Sequence, residues 1–98
     1  MSTDSEARAQ ALELLANHHE FPGMFEFRAV VLPESKSATV TAVAAAVGGE
    51  HHVERVTERR SSKGKYVSVR VRVQVESAEM VLEVYAVLKA VRGVMTVL

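Results

Sequence analysis

The chain has 98 residues, of which 48% are hydrophobic and 24% charged, with no cysteine and a formal net charge of zero. This length and composition predict one folded domain and argue against a disordered chain. The lack of cysteine excludes a disulfide framework, a thiolate nucleophile and Cys-based metal sites. The polar, acidic beginning of the sequence and the absence of a long apolar run predict a soluble, cytoplasmic protein without a membrane partner.

The charges are distributed unevenly along the sequence. Residues 1–54 carry a net charge of −5, residues 55–72 a net charge of +6, and residues 73–98 a net charge of −1. A short segment with this excess of basic residues is a candidate surface for an acidic partner.

The first predicted elements are a helix and a strand. Thr3, followed three residues later by Glu6, is typical of a capping box, and an apolar stripe predicts a helix that extends to about Asn17. Hydrophobic residues then alternate with other residues from Phe25 to Val31, which predicts the first strand.

A second helix and an irregular strand are predicted next. Pro33 ends the first strand, and either Ser35 or Ser37 can cap a helix that ends at Gly48-Gly49. The apolar residues of segment 52–60 are out of phase with strict alternation, which predicts an edge strand that carries a bulge.

The third strand has the clearest pattern in the sequence. It follows a predicted turn at residues 61–65, in which Gly64 supplies a positive φ angle. From Val67 to Val75 five valines alternate with polar residues, which predicts one buried face and one solvated face. Ser77 is predicted to cap the last helix, and residues 94–98 form a short final strand.

This order of elements predicts an α+β fold. A βαββαβ order with right-handed crossovers gives a ferredoxin-like sandwich, with two helices on one face of a four-stranded antiparallel sheet. We divide the chain into an N-terminal helical extension, residues 1–20, and the sandwich domain, residues 21–98.

Several stretches of the sequence carry a resemblance to a known family. They are Phe21-Pro22 with Phe25-x-Phe27-Arg28, Ser61-Ser62-Lys63-Gly64-Lys65-Tyr66-Val67-Ser68-Val69, Ser77-x-Glu79-x-Val81-x-x-x-Tyr85-x-x-Leu88, and the terminal Val97-Leu98. Over residues 21–98 the chain resembles the bacterial YbeD-like proteins of unknown function. The resemblance implies the same fold, which is similar to ACT-type regulatory domains, and implies no activity, cofactor or catalytic residue.

Other functions of this fold need residues that the sequence lacks. An acylphosphatase needs an asparagine that orients water, and the sole asparagine, Asn17, lies in the N-terminal helix. The turn at residues 31–34 lacks the acid and the glycine with which ACT domains bind amino acids. The pairs His18-His19 and His51-His52 are adjacent residues whose side chains diverge, which argues against a metal site. We therefore predict no enzyme activity, no cofactor and no metal.

Nucleic-acid binding is only weakly supported by the sequence. Residues 63–69 resemble the basic strand of an RNA-recognition motif, but Tyr66 is the only aromatic side chain in them that can stack on a base. The pattern therefore argues against an RNA-binding platform.

The basic hairpin and the solvated face of the third strand form the candidate site. Two interpretations stay open, namely a solvated edge in which Arg70 or Arg72 pairs with Glu26, and a surface that binds an anion or an acidic partner. The residues of this candidate surface are Arg59, Arg60, Ser61, Ser62, Lys63, Gly64, Lys65, Tyr66, Arg70 and Arg72.

We predict a regulatory or protein-interaction module that self-associates or docks onto a protein partner through this surface. A sensor of a small molecule, with anions among the candidate ligands, and a weak nucleic-acid binder are the alternatives. Thermal stabilisation by a metabolite favours the first alternative, and a salt-dependent shift of nucleic acid favours the second.

Overall fold

The structure is a computed structural model that describes residues 3–98. Its helices and strands are α1 (Thr3–His18), β1 (Gly23–Val31), α2 (Lys36–Ala46), β2 (Val53–Arg60), β3 (Val67–Val75), α3 (Ala78–Ala90) and β4 (Val94–Val97). The strands form an antiparallel sheet in the order β2-β3-β1-β4. This order confirms the predicted ferredoxin-like α+β fold. The predicted capping box depends on the Thr3 side chain, which lies outside the described atoms.

The core lies between the helices and one face of the sheet. All five valines of β3 are at most 3% exposed, because alternation turns them to the same side as Phe27 of β1. Val84 and Leu88 of α3 pack into the same cluster. The predicted buried face of β3 is therefore confirmed.

Helix α1 is attached to this core by a small contact area. Leu15 packs against the core cluster, and the His19 ring lies 4.9 Å from the Phe25 ring, centroid to centroid. Phe27 in turn makes an edge-to-face contact of 5.2 Å with Tyr85 of α3. Most other side chains of α1 are exposed.

No helix in residues 3–98 is long and apolar enough to cross a membrane.

Helix α2 begins and ends close to the predicted positions. Ser35 occupies its N-cap and Ser37 lies within its first turn, but the Ser35 hydroxyl makes no capping hydrogen bond. Instead, the Thr39 hydroxyl donates to the Ser35 carbonyl oxygen at 2.7 Å. The helix ends at Ala46, and Gly48-Gly49 follow with the positive φ angles that reverse the chain.

Helix α3 has the cap that its sequence predicts. The Met80 N–H donates to the Ser77 hydroxyl oxygen at 3.2 Å, which satisfies one free N–H of the first turn. After the helix, Gly93 has a φ of 91° and leads the chain into β4.

Strand β2 is an edge strand with a bulge, as its irregular pattern predicts. Val53 and Val56 both lie opposite valines of β3, although they are three residues apart. The register shifts between them, so that two residues, Glu54 and Arg55, lie opposite Arg72. The extra residue explains why the apolar residues of this segment are out of phase.

Candidate binding surface on the open face of the sheet

The side of the sheet that faces away from α2 and α3 is polar, and we call it the open face. Strand alternation and register assign its residues. They are Met24, Glu26, Arg28, Val30, Arg55, Thr57, Arg59, Ser68, Arg70, Arg72, Gln74 and Thr96. Each is exposed or half-buried. The open face thus carries five arginines and a single glutamate of its own.

The arginines are ordered in rows across strands β2, β3 and β1. The row farthest from the β2–β3 turn contains Arg55, Arg72 and Glu26, in that order. The middle row contains Thr57, Arg70 and Arg28, and the row nearest the turn contains Arg59, Ser68 and Val30. Basic residues therefore face one another directly in two of the three rows, which is unfavourable unless a carboxylate lies nearby.

The Glu26 carboxylate contacts both arginines of the middle row. Its Oε1 atom lies 3.2 Å from Arg28 Nε and 3.8 Å from Arg70 Nε, so one carboxylate is shared by two directly opposed arginines. The Arg70 side chain remains 56% exposed, and an exposed pair at this distance holds it only weakly. The predicted pairing of Arg70 with Glu26 is confirmed.

The Glu54 carboxylate contacts one arginine of the row farthest from the turn, Arg72. Its Oε1 atom accepts a hydrogen bond from Arg72 Nε at 3.2 Å. The alternative prediction, that Arg72 pairs with Glu26, is wrong, because the bulge brings Glu54 next to Arg72. Arg55 lies directly opposite Arg72, and in the described part of the chain Arg55 has no ion pair of its own.

Arg59 is, like Arg55, an arginine of this face without an ion pair in the described part of the chain. It lies opposite Ser68, and among residues 3–98 no carboxylate forms an ion pair with it. The neighbouring Glu58 points to the helical side, where its Oε2 atom lies 2.6 Å from Lys36 Nζ. The open face is therefore most positive, relative to its carboxylates, close to the turn.

Two adjoining depressions mark this face. The larger has a volume of about 380 Å³ and is lined by Thr57, Glu58, Arg59, Ser68 and Arg70. A smaller one of about 160 Å³ is lined by Glu26, Arg55, Thr57, Arg70 and Arg72. They share Thr57 and Arg70, so the two form one continuous shallow surface.

The β2–β3 turn, residues 61–66, is held by its own hydrogen bonds. The Ser61 N–H donates to the Tyr66 carbonyl oxygen at 2.9 Å, and the Tyr66 N–H donates to the Ser61 hydroxyl oxygen at 3.1 Å. The Gly64 N–H donates to the Ser61 carbonyl oxygen at 2.9 Å. The turn therefore uses the Gly64 and Tyr66 N–H groups for its own hydrogen bonds. Lys65 Nζ lies 5.5 Å from the centroid of the Tyr66 ring, within range of a cation–π interaction.

The structure brings only part of the predicted candidate surface together. Arg59, Arg70 and Arg72 share the open face, while Arg60 lies opposite Val67 on the helical side. Ser62, Lys63 and Lys65 are exposed in the turn at the edge of the open face. Sequence reasoning missed the hydroxyl groups that lie between the arginines. These belong to Thr57 and Ser68.

The histidines occupy structural positions. The prediction that the His51 and His52 side chains diverge is wrong: both residues lie in a 3-10 turn, Glu50–His52, and their rings are 4.1 Å apart, centroid to centroid, and tilted by 42°, beside the glycines that follow α2. His18 Nδ1 lies 2.8 Å from the Leu14 carbonyl oxygen. Within residues 3–98 no group of three His, Cys, Asp or Glu side chains is arranged to hold a metal ion.

These features define a small α+β domain of ferredoxin-like topology with a basic, uncovered sheet face. A family model described as "Protein of unknown function (DUF493)" matches residues 16–98. The chain belongs to this family, which confirms the YbeD-like resemblance of its sequence. Comparison with curated proteins and with solved structures found no match. The division of the chain at residue 20 stays a prediction.

Proposed function

We propose that this protein is a non-catalytic regulatory or interaction module that binds an acidic partner protein through its open face and β2–β3 turn. The observation that carries the proposal is the surplus of arginines on a sheet face that no described helix covers. Arginines that are buried or fully paired with carboxylates contribute only to the stability of the fold. Exposed arginines that outnumber the nearby carboxylates raise the rate of encounter with an acidic surface.

Charge separation between the two layers of the domain supports the same proposal. Among the charged side chains of α1 and α3, the acidic groups outnumber the basic ones. Those acids are Asp4, Glu6, Glu13, Glu79 and Glu83, against Arg8 and Lys89 on the same helices. A molecule with zero net charge thus presents opposite signs on its two sides. The acidic helical layer of a second copy has the chemistry that the open face would bind, so self-association is one form of this proposal.

The chemistry of the open face supports a role in binding rather than in catalysis. Its ionisable groups are arginines, which stay protonated at neutral pH, and two carboxylates that are engaged with them. General acid–base catalysis needs a group that gains and loses a proton near the working pH. The exposed hydroxyls of Thr57 and Ser68 have no histidine beside them in the cross-strand rows.

The proposal is tested by charge reversal on each layer. Wild type, Arg55→Glu/Arg59→Glu and Glu13→Lys/Glu83→Lys are immobilised and exposed to a bacterial lysate, and a captured protein is purified for titration calorimetry against each variant. We expect open-face reversal to abolish binding and helical reversal to preserve it, unless the captured protein is the chain itself. Binding should also weaken as salt shortens the Debye length below about 8 Å.

The opposite pattern would exclude the open face as the contact. Loss of binding in the helical variant alone, with the open-face variant unaffected, places the contact on α1 or α3. Thermal unfolding of both variants is the control, since exposed charges contribute at most about 1 kcal/mol each to stability. If both variants lose binding and sedimentation of the wild type gives twice the molecular mass of one chain, the protein binds a second copy of itself.

A further inference from the structure

We propose that Thr57, Arg59, Ser68 and Arg70 form a cradle that binds the phosphate group of a small phosphorylated molecule. This inference goes beyond the proposed function, because it assigns a second kind of ligand to part of the same open face. It names the four side chains that would hold the ligand and the chemical class to which the ligand belongs.

The register of the sheet places the four side chains in a compact block. Thr57 lies directly opposite Arg70, and Arg59 lies directly opposite Ser68. Directly opposed Cβ atoms in a sheet are about 5 Å apart and diagonal neighbours about 7–8 Å apart. The two long side chains therefore occupy one diagonal and the two short hydroxyl side chains the other. This alternation of long and short side chains produces the depression of about 380 Å³.

The cradle contains donors that the protein itself leaves available. In the described part of the chain, the hydroxyls of Thr57 and Ser68 and the guanidinium of Arg59 have no hydrogen-bond partner in the protein. Arg70 has only the shared contact with Glu26, at 3.8 Å. Two guanidinium forks and two hydroxyls can surround a tetrahedral oxyanion from several directions.

Competing carboxylates are held away from the cradle. Glu58 borders the depression, but Lys36 at the beginning of α2 holds its carboxylate on the helical side at 2.6 Å. Glu26 is closer to Arg28 than to Arg70, at 3.2 Å against 3.8 Å. An incoming anion would therefore displace only the weaker of the two contacts that Glu26 makes.

The surroundings of the cradle favour one small ligand over a long polyanion. Away from the turn, the basic region ends at Glu26 and Glu54, so a nucleic-acid backbone that follows the strands in that direction would meet two carboxylates. The volume of the depression lies within the range of about 300–1,000 Å³ that is typical of small-molecule sites. A planar carboxylate is satisfied by one arginine fork, whereas a phosphate group can use both arginines and the hydroxyls.

Titration followed by NMR tests the cradle directly. Amide resonances of the ¹⁵N-labelled full chain are monitored while inorganic phosphate, glycerol phosphate, glutarate or sodium chloride is added at matched ionic strength. We expect saturable shifts centred on residues 57–59 and 68–70 with the two phosphates, and weak, unsaturated shifts with glutarate and chloride. Absence of saturation with both phosphates would overturn the inference.

Variants separate a defined site from general charge. Arg59→Gln and Arg70→Gln should each weaken phosphate binding by about 10- to 100-fold, as expected for the loss of charged hydrogen bonds. Arg60→Gln is the matched control, because Arg60 follows Arg59 on the same strand but lies on the helical side, opposite Val67. Its affinity should change less than about threefold, since it loses only a charge on the other side of the sheet. Equal losses in all three variants would show diffuse electrostatic attraction and contradict the cradle.

A charge-neutral variant distinguishes this inference from the proposed function. Thr57→Val/Ser68→Ala keeps every arginine, so it should weaken phosphate binding and leave capture of an acidic protein intact. Capture without phosphate binding by wild type would refute the cradle alone, and phosphate binding without capture would refute the protein-partner proposal alone. A short single-stranded oligonucleotide that binds more tightly than glycerol phosphate, with no loss in Thr57→Val/Ser68→Ala, would also refute the cradle.

Discussion

Val71 and Arg70 are neighbours in the centre of β3, and they test the assignment of its two faces. Val71 is 2% exposed and lies opposite Phe27 on one side and Val56 on the other. The side chain of Arg70 is 56% exposed and points to the open face. Substitutions at these adjacent positions should therefore have very different effects on the free energy of unfolding.

The expected magnitudes follow from burial. Val71→Ala removes two buried methyl groups, worth about 1.6 kcal/mol by transfer, and the cavity left behind raises the loss to about 2–3 kcal/mol. Val71→Asp adds a buried carboxylate without a partner, which should consume most of the roughly 5–15 kcal/mol that stabilises a small domain. Arg70→Ser loses one exposed ion pair, worth at most about 1 kcal/mol.

Urea unfolding followed by circular dichroism measures these differences. Val71→Ala is the quantitative variant, because Val71→Asp can prevent folding altogether. An Arg70→Ser loss equal to that of Val71→Ala, with unchanged dependence on urea, would refute the assignment of faces. The candidate surface would then be wrong as well, since it depends on the same alternation.

Two further predictions concern the helical side. Gly93 has a φ of 91°, and a Cβ atom there would overlap the Ser35 side chain. Gly93→Ala should therefore lower the free energy of unfolding, measured in urea, by about 2–5 kcal/mol. The double variant Gly93→Ala/Ser35→Gly should recover part of this loss. A double variant that is as unstable as Gly93→Ala alone would contradict the overlap. Burial raises the pKa of Tyr85, so in a Tyr66→Phe chain the phenol absorbance should change with a midpoint above pH 10. Because the folded chain favours the neutral phenol, the raised pKa of Tyr85 contributes stability below about pH 10, and this contribution is lost as the pH rises further. A Tyr85→Phe chain should not show this loss of stability.

Most of the architecture could be predicted because its signals are local. The valine alternation of β3 fixes a period of two without reference to any other strand. The Ser77 cap likewise depends on residues within one helical turn. The Ser35 hydroxyl behaves differently, because it lies against Gly93, which is distant in the sequence. No local pattern carries that information.

The candidate site was predictable only in part because it depends on pairing between strands. The basic residues of 55–72 are visible in the sequence, but their division between two faces requires the register of β2. That register places Arg60 on the helical side and brings Thr57 and Ser68 among the arginines. The sequence predicts a bulge in β2 without its position, and a shift of one residue exchanges the two faces of a strand.

The bulge at Glu54 connects the fold to the proposed binding surface. Strict alternation back from Val56 would turn Glu54 toward the helices and Val53 toward solvent. With the extra residue, Val53 lies opposite Val73 on the core side, and the Glu54 carboxylate reaches Arg72. The one carboxylate of β2 that meets the open face is thereby confined to the row farthest from the turn. Since Glu58 is engaged with Lys36, Arg59 is left without a carboxylate where the hydroxyls of the proposed cradle lie.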